Sequence, residues 1–144
     1  MARNNHVFVM GDITGDIYYD NMLLDGKSVP YLRLYMMVNG TDGASAISGL
    51  RVTVYGSLAE LTYAYVKKGS RLAVTGHIQY RKHKWGKAFE LVATDVQYIR
   101  HIDWEHGDEV RQDLVSRGEI RPTRRDLEAD LVAGPEAAEL EGED

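Results

Sequence analysis

The chain has 144 residues and no cysteine, so we expect one domain with an appendage and exclude disulfides and cysteine-based metal sites. Its net charge of -5 averages two unlike parts, because residues 1–102 hold 12 Lys and Arg against 8 Asp and Glu, whereas residues 103–144 hold 5 against 14. No signal peptide opens the chain and no apolar run approaches the roughly 20 residues that cross a bilayer, which predicts a soluble, cytoplasmic protein.

Five segments have the length and apolar pattern of strands. They are residues 6–10, 31–38, 50–55, 71–81 and 88–99. One internal stretch has helical spacing instead, with Ser57 as the predicted N-cap, Glu60 at the capping-box position and Gly69 as the stop. Five strands with one short helix between the third and the fourth is the layout of the OB fold, a partly open barrel. The pattern therefore predicts an all-β domain over residues 1–102.

The stretch 31–38 predicts a strand with two different faces. Four aliphatic or methionine side chains share one face, and Tyr31, Arg33, Tyr35 and Met37 share the other. Two tyrosines that flank an arginine form a stacking platform with a charge between the rings. A subunit interface is the open alternative, because Tyr, Arg and Met are enriched there too.

The stretch 50–55 repeats this arrangement. Three aliphatic side chains are expected in the core, while Arg51, Thr53 and Tyr55 face the other way. A guanidinium, a hydroxyl and a phenol ring suit a wet surface that stacks a base and pairs a phosphate. An ordinary half-buried strand with a polar outer face explains the same alternation.

Residues 79–87 combine positive charge with aromatic rings. The basic and aromatic side chains are Tyr80, Arg81, Lys82, His83, Lys84, Trp85 and Lys87. Phosphates require positive charge and bases require flat faces, and a two-stranded finger offers both. Basic clusters are usually only solvated surface, but a tryptophan within one is less common there, so we favour nucleic-acid contact. Lys68, at the predicted helix end, either complements the helix dipole or extends this basic track.

No constellation of catalytic or metal-ligating residues is present in the sequence. The aspartates near the first turns lack the spacing of a calcium loop, and the five histidines form no metal-ligand pattern. No nucleophile stands with a recognisable base. We therefore predict a non-enzymatic protein without a cofactor or metal.

The acidic part, residues 103–144, is predicted to be a tail that is partly helical or disordered. Residues 108–117 have the pattern of a short helix, and residues 124–133 have a stronger one that ends at Gly134-Pro135. The final residues, 136–144, carry five acids and one leucine and are predicted to be disordered. A basic body with an acidic tail recurs in nucleic-acid-binding proteins, although acidic tails also serve solubility alone.

Three motifs carry a likeness to a known family. They are residues 5–16 (Asn-His-Val-Phe-Val-Met-Gly-Asp-Ile-Thr-Gly-Asp), residues 51–60 (Arg-Val-Thr-Val-Tyr-Gly-Ser-Leu-Ala-Glu) and residues 65–78 (Tyr-Val-Lys-Lys-Gly-Ser-Arg-Leu-Ala-Val-Thr-Gly-His-Ile). Over about residues 5–102 the chain resembles the bacterial single-stranded DNA-binding protein family. The resemblance implies an OB fold, assembly into a homotetramer, and wrapping of single-stranded DNA without strong sequence preference.

The resemblance also implies roles for individual residues. Tyr55 stands where the family has a stacking aromatic residue. Arg51, Lys68 and the pair Arg81 and Lys82 stand at basic positions that contact DNA. The acidic C-terminus resembles the family tail that recruits replication and repair proteins, but it lacks the terminal Pro-Phe pair.

The chain departs from the family at its tryptophans. Two that stack bases are replaced by Gly40 and Gly49, and the third falls at His83, or at Trp85 if the register slips by two. Each lost stack costs ~1–3 kcal/mol per base, so we expect a lower affinity or a smaller site. Additional tyrosines, Tyr80 among them, would compensate.

The sequence as a whole predicts an OB-fold protein that binds single-stranded DNA in replication, recombination and repair. Two alternatives stay open at this stage. One is an OB protein-interaction module, similar to primosome components, with weak affinity for nucleic acid. The other is an RNA-binding OB domain, which only a direct competition between RNA and DNA would distinguish.

Overall fold

The computed structural model describes residues 5–39, 46–83 and 86–122. In chain order the elements are β1 (Val7–Ile13), β2 (Tyr18–Leu24), β3 (Lys27–Asn39), β4 (Ala46–Tyr55), α1 (Ser57–Tyr65), β5 (Arg71–His83), β6 (Gly86–Arg100) and α2 (Trp104–Ser116). The strands follow the order β1-β5-β6-β4-β3-β2, and a further pairing of β1 with β3 closes five of them into a ring. The five predicted segments supply these five strands, and α1 follows the third of them. The all-β OB-fold prediction is therefore confirmed.

β2 is the strand that the sequence patterns missed. Its side chains are exposed or half-buried on both faces, so they show no apolar alternation, and the polar pair Asp20-Asn21 interrupts its middle. It pairs with β3 along its whole length, outside the ring. A two-residue turn at Asp25 and Gly26 joins the two strands, with φ of 51° and 77°, as the tight hairpin turns require. Pairing with β3, rather than local pattern, makes this segment a strand.

The core-facing sides of β3 and β4 are as predicted. Leu32, Leu34 and Met36 of β3 are fully buried, as are Val52 and Val54 of β4. They form one cluster with apolar residues of β5, β6 and both helices. Because alternate residues of a strand point to opposite faces, the same periodicity sends the intervening side chains to the other side of the sheet.

α1 differs from the prediction at both ends. It begins at Ser57, and the N-cap is Gly56, which makes no side-chain capping bond. The Gly56 N–H donates to Pro30 O at 2.8 Å, so the chain is tied to β3 directly before the first helical turn. The helix ends at Tyr65, since Val66 is already extended, and Gly69 lies in the turn that leads to β5. The predicted capping box is therefore wrong.

α2 begins earlier than the helix predicted over residues 108–117. The carboxylate of Asp103 accepts a hydrogen bond from the His106 N–H at 3.2 Å and caps the first turn. Leu114 is fully buried in the core cluster, so the first part of the predicted tail packs against the body. The division at residue 102 stays a prediction. Gly40 and the second predicted tail helix, residues 124–133, lie outside the described residues.

Tyr65 and Tyr98 pack beside α2 with ring centroids 4.3 Å apart. We expect these two tyrosines to lower the free energy of unfolding in alkali. Burial raises the pKa of Tyr98 to about 12, and burial with a hydrogen bond to Asp108 raises the pKa of Tyr65. Unfolded tyrosine ionises near pH ~10, so stability is kept below that pH and should fall by about 1.4 kcal/mol per pH unit per tyrosine between about pH 10 and 12. Urea unfolding at about pH 9 and 11 measures this loss. Tyr98→Phe should reduce it, and a free energy of unfolding independent of alkaline pH would contradict it.

Candidate nucleic-acid interface

The side chains of β3 and β4 that point away from the core form one surface, which we call the outer face. Three cross-strand pairs lie on it: Tyr31 opposite Tyr55, Arg33 opposite Thr53, and Tyr35 opposite Arg51. β2 continues this face, because Tyr18 lies opposite Arg33, and Asp20 lies opposite Tyr31. Strand pairing thus assembles four tyrosines and two arginines from three separate segments.

The outer face is drier than the sequence predicts. Thr53 is fully buried, Tyr31 is 8% exposed, and the side chain of Arg51 is 18% exposed. The reason is the position of β4 between β3 and β6, which lets Glu90 of β6 lie against Thr53 and Arg51. The expectation of a wet surface is therefore wrong for Thr53, and the exposed side chains of this face lie on β2, at Tyr18 and Asp20.

A groove of about 640 Å³ opens on this face. Its lining residues are Tyr18, Asp20, Asn21 and Met22 of β2, Tyr31 and Arg33 of β3, Tyr55 of β4, Gln79, Tyr80 and Lys82 of β5, and Glu90 of β6. In the strand order, β2 and β5 lie on opposite sides of the pair β3 and β4. Tyrosines of β3 and β4 therefore form the floor of the groove. β2 forms one wall, and the β5–β6 hairpin forms the other.

Aromatic rings and one guanidinium contact one another across the groove. The Tyr31 and Tyr55 centroids lie 5.5 Å apart, and Tyr18 meets Tyr31 edge-on at 6.2 Å. The Cζ atom of Arg33 lies 4.6 Å from the centroid of the Tyr18 ring and 6.0 Å from that of Tyr35. The buried Nε of Arg33 finds no hydrogen-bond acceptor within residues 5–39, 46–83 and 86–122. Planar rings beside a guanidinium suit a ligand that has both flat rings and acceptor oxygens.

The β2 wall carries negative charge. The Tyr18 hydroxyl donates to Asp20 Oδ2 at 3.1 Å, and this hydrogen bond raises the pKa of Tyr18. The other carboxylate oxygen accepts from the Asn21 N–H at 2.7 Å. The exposed Lys82 stands on the opposite wall. A polyanion in the groove is therefore expected to run its phosphates along the β5 side.

The hairpin of β5 and β6 presents an exposed aromatic pair. Tyr80 lies opposite Phe89, with ring centroids 4.4 Å apart and an interplanar angle of 29°. Tyr80 is 64% exposed and Phe89 is 58% exposed. Apolar rings that stay this accessible beside Lys82 extend the stacking surface beyond the groove.

Several predicted site residues do not enter this geometry. Lys84 and Trp85 lie outside the described residues. The backbone of Arg81, His83 and Lys87 lies in the β5–β6 hairpin, but the predictions about these side chains also lie outside the described part of the chain. Two further predicted residues are placed elsewhere: Lys68 is exposed in the turn after α1, and Tyr35 is half-buried beside the groove without lining it.

Several residues of the interface escaped the sequence reasoning, among them Tyr18 and Asp20 of β2, Gln79, Phe89 and Glu90. Tyr18 was missed because β2 was not recognised as a strand. The signal for Glu90 was available, since alternation within the predicted strand 88–99 places it on the face opposite to the buried Leu91. A single acidic residue on the outer face, next to a basic hairpin, is the sequence pattern that indicates Glu90.

The described segments contain neither a candidate metal site nor a helix that could span a membrane. Within them, no group of three or more His, Asp or Glu residues is placed to hold a metal ion. Neither of their helices has the length and apolar character needed to span a membrane.

Comparisons with known proteins place these features in a family. The family model described as the single-strand binding protein family matches residues 4–99. No curated protein matches the chain. The N-terminal domain of the PriB protein from Thermoanaerobacter tencongensis, solved as a dimer, is a similar structure, with 16% identity and a TM-score of 0.55 over 69% of this chain and 100% of that one. The SSB domain of a Synechococcus protein is another, with 14% identity and a TM-score of 0.54 over 67% of this chain and 98% of that one.

The family match supports a coarse function for this chain. The two solved structures share the fold, and the family match covers the whole ring of strands. Family members are non-enzymatic proteins that bind single-stranded nucleic acid through an OB domain and form oligomers. With its match over residues 4–99, this chain belongs to the single-strand binding protein family.

Proposed function

We propose that the chain binds single-stranded DNA in the groove. Bases would stack on Tyr18 and Tyr55, on either side of the buried Tyr31, and the strand would continue over Tyr80 and Phe89. Lys82 would meet phosphates along the β5 wall, and the remaining basic residues of the hairpin would extend this track. Arg33 would donate to a base oxygen. Stacking on rings tolerates any base, because every base has a π face, so we propose binding without strong sequence preference.

The stacked guanidinium of Arg33 is the observation that carries this proposal. Arg33 lines the groove, and its guanidinium lies over the ring of Tyr18, with Cζ 4.6 Å from the ring centroid. A guanidinium can stack on an aromatic ring and donate to an acceptor oxygen of a base at the same time. The tyrosines on either side would hold the neighbouring bases.

The cellular role belongs to the same proposal. The chain would protect single strands during replication, recombination and repair in the cytoplasm, as a homotetramer. Phe8 and Met10 on β1, which are 62% and 42% exposed, supply apolar surface that an assembly would cover. The acidic tail, as far as residue 144, would be the segment that recruits replication or repair proteins.

A second candidate function is a protein-interaction module with weak affinity for nucleic acid. The likeness of the fold to the PriB domain favours it. So does the pairing of Arg51 with Glu90, which places a carboxylate among the groove residues. An RNA-binding OB domain is the third reading, and the experiment below separates all three.

The test is a titration of the full chain with a long thymidine oligomer at two salt concentrations, followed by the quenching of tyrosine and tryptophan emission. Strong quenching that weakens with salt is expected, and a duplex of equal length should bind far more weakly. A uridine oligomer that competes better than the thymidine oligomer would indicate RNA as the ligand. An absence of quenching and of any mobility shift would contradict nucleic-acid binding and favour the protein-interaction module.

Lys82→Met is expected to lower the salt dependence of binding. Lys82 is an exposed cation on the groove wall, so it would release about one phosphate counterion. The slope of log K against log salt should become shallower by about 0.7 for a single strand. Fluorescence anisotropy of a labelled thymidine oligomer at four salt concentrations measures it. Lys27→Met, at an exposed cation in the β2–β3 hairpin that does not line the groove, is the matched control and should leave the slope unchanged.

A further inference from the structure

The groove contains a carboxylate that is almost completely buried. Glu90 is 2% exposed. Its Oε2 accepts a hydrogen bond from the Thr53 hydroxyl at 2.7 Å, and its Oε1 accepts one from the Gln79 side-chain amide at 2.8 Å. A buried charge is costly unless it is hydrogen-bonded and paired. The two hydrogen bonds meet the first requirement and hold the carboxylate in a fixed position.

Arg51 meets the second requirement. Its Nε lies 3.4 Å from Glu90 Oε2, and its guanidinium also donates to the Tyr31 hydroxyl at 2.8 Å. The Arg51 side chain is only 18% exposed. The guanidinium of Arg51 is thus paired with the Glu90 carboxylate and hydrogen-bonded to the hydroxyl of Tyr31. The ring centroid of Tyr31 lies 5.5 Å from that of Tyr55 on the groove floor.

This geometry works against a phosphate at Arg51. A phosphate oxygen that took the guanidinium would have to compete with Glu90 at short range, and it would be repelled by that carboxylate. If it displaced Glu90 from Arg51, a carboxylate that is 2% exposed would lose the charge of Arg51 beside it, which is unfavourable. By contrast, the exposed ammonium of Lys82 meets a phosphate at little cost.

We propose that Glu90 is the internal counter-ion of Arg51, so that Arg51 positions Tyr31 on the groove floor and does not bind phosphate. This inference rests on the proposed binding of single-stranded DNA, because it assigns the roles of two residues within that interface. It makes Glu90 a determinant of affinity and salt dependence. It also separates Arg51 from the phosphate-binding cations of the groove.

The test removes the two charges together. In the full chain, Arg51→Met combined with Glu90→Gln keeps the net charge and side chains of similar size. The affinity of a labelled thymidine oligomer is measured by anisotropy at four salt concentrations, with Lys82→Met as the reference for the loss of one phosphate contact. The double variant should keep the wild-type slope of log K against log salt. A slope shallower by about 0.7, equal to the loss in Lys82→Met, would show that Arg51 binds phosphate and would overturn the inference.

Glu90→Gln alone provides an independent arm. Gln retains an oxygen that can accept a hydrogen bond from Thr53, and the loss of the carboxylate leaves Arg51 free to attract the backbone. The slope should become steeper by about 0.7, and binding at about 50 mM salt should tighten three- to tenfold. A slope that stays equal or becomes shallower in a folded variant, as judged by circular dichroism, contradicts the inference. Failure of the wild type to bind would instead overturn the proposed function, and the inference with it.

Discussion

Tyr55→Leu is expected to weaken the binding of a thymidine oligomer by about 1–3 kcal/mol, or about 5- to 150-fold in dissociation constant. Tyr55 is half-buried on the groove floor, and its ring lies 5.5 Å from that of Tyr31. Leucine keeps apolar volume at this position and removes the flat face on which a base would stack. Because no charge changes, the salt dependence should remain that of the wild type. Anisotropy titrations of the labelled oligomer at several salt concentrations measure both quantities.

A tyrosine outside the groove provides the matched control. Tyr63 on α1 is 48% exposed and stacks on Tyr19 with ring centroids 4.3 Å apart. Tyr63→Leu makes the same chemical change away from the proposed interface, so the affinity should be unchanged. Equal losses in the two variants would indicate an effect on the fold and would remove Tyr55 from the interface. Unchanged affinity in Tyr55→Leu would also remove Tyr55 from the interface.

Gly107→Ala is expected to destabilise the protein by about 3 kcal/mol, although alanine is ordinarily the better helix former by about 1 kcal/mol. A Cβ at this position of α2 would overlap the ring of Tyr65. That ring is fully buried, and its hydroxyl donates to Asp108 at 2.6 Å. Tyr98 and Trp104 pack on it at centroid distances of 4.3 Å and 5.7 Å, so it has no free space into which to move.

Urea unfolding followed by circular dichroism measures this effect. Gln112→Ala is the control, since Gln112 is exposed on the same helix and its replacement should leave the free energy of unfolding nearly unchanged. A Gly107→Ala variant that is more stable than the wild type would mean that α2 does not pack closely on Tyr65. It would also show that residues after 102 contribute little to the body.

The sequence was sufficient for the five ring strands and for the core-facing sides of β3 and β4. Alternation along a strand is a local property, so Leu32 and Leu34, like Val52 and Val54, could be assigned to the interior without knowledge of any neighbour. The position of the first helix was equally accessible, because apolar spacing between two strands defines it. Its exact start was not, since the Gly56 N–H is held by Pro30 of a distant strand.

The partners on the outer face were decided by the tertiary structure alone. The sequence shows that Arg51 points away from the core, but the atom it meets depends on which strand lies beside β4. That strand is β6, which brings Glu90 to within 3.4 Å of it. β2 is a strand for the same kind of reason, because pairing with β3 replaces the apolar pattern that it lacks. Local periodicity therefore determined the barrel and its core, whereas contacts between segments far apart in the chain determined the charge and the shape of the groove.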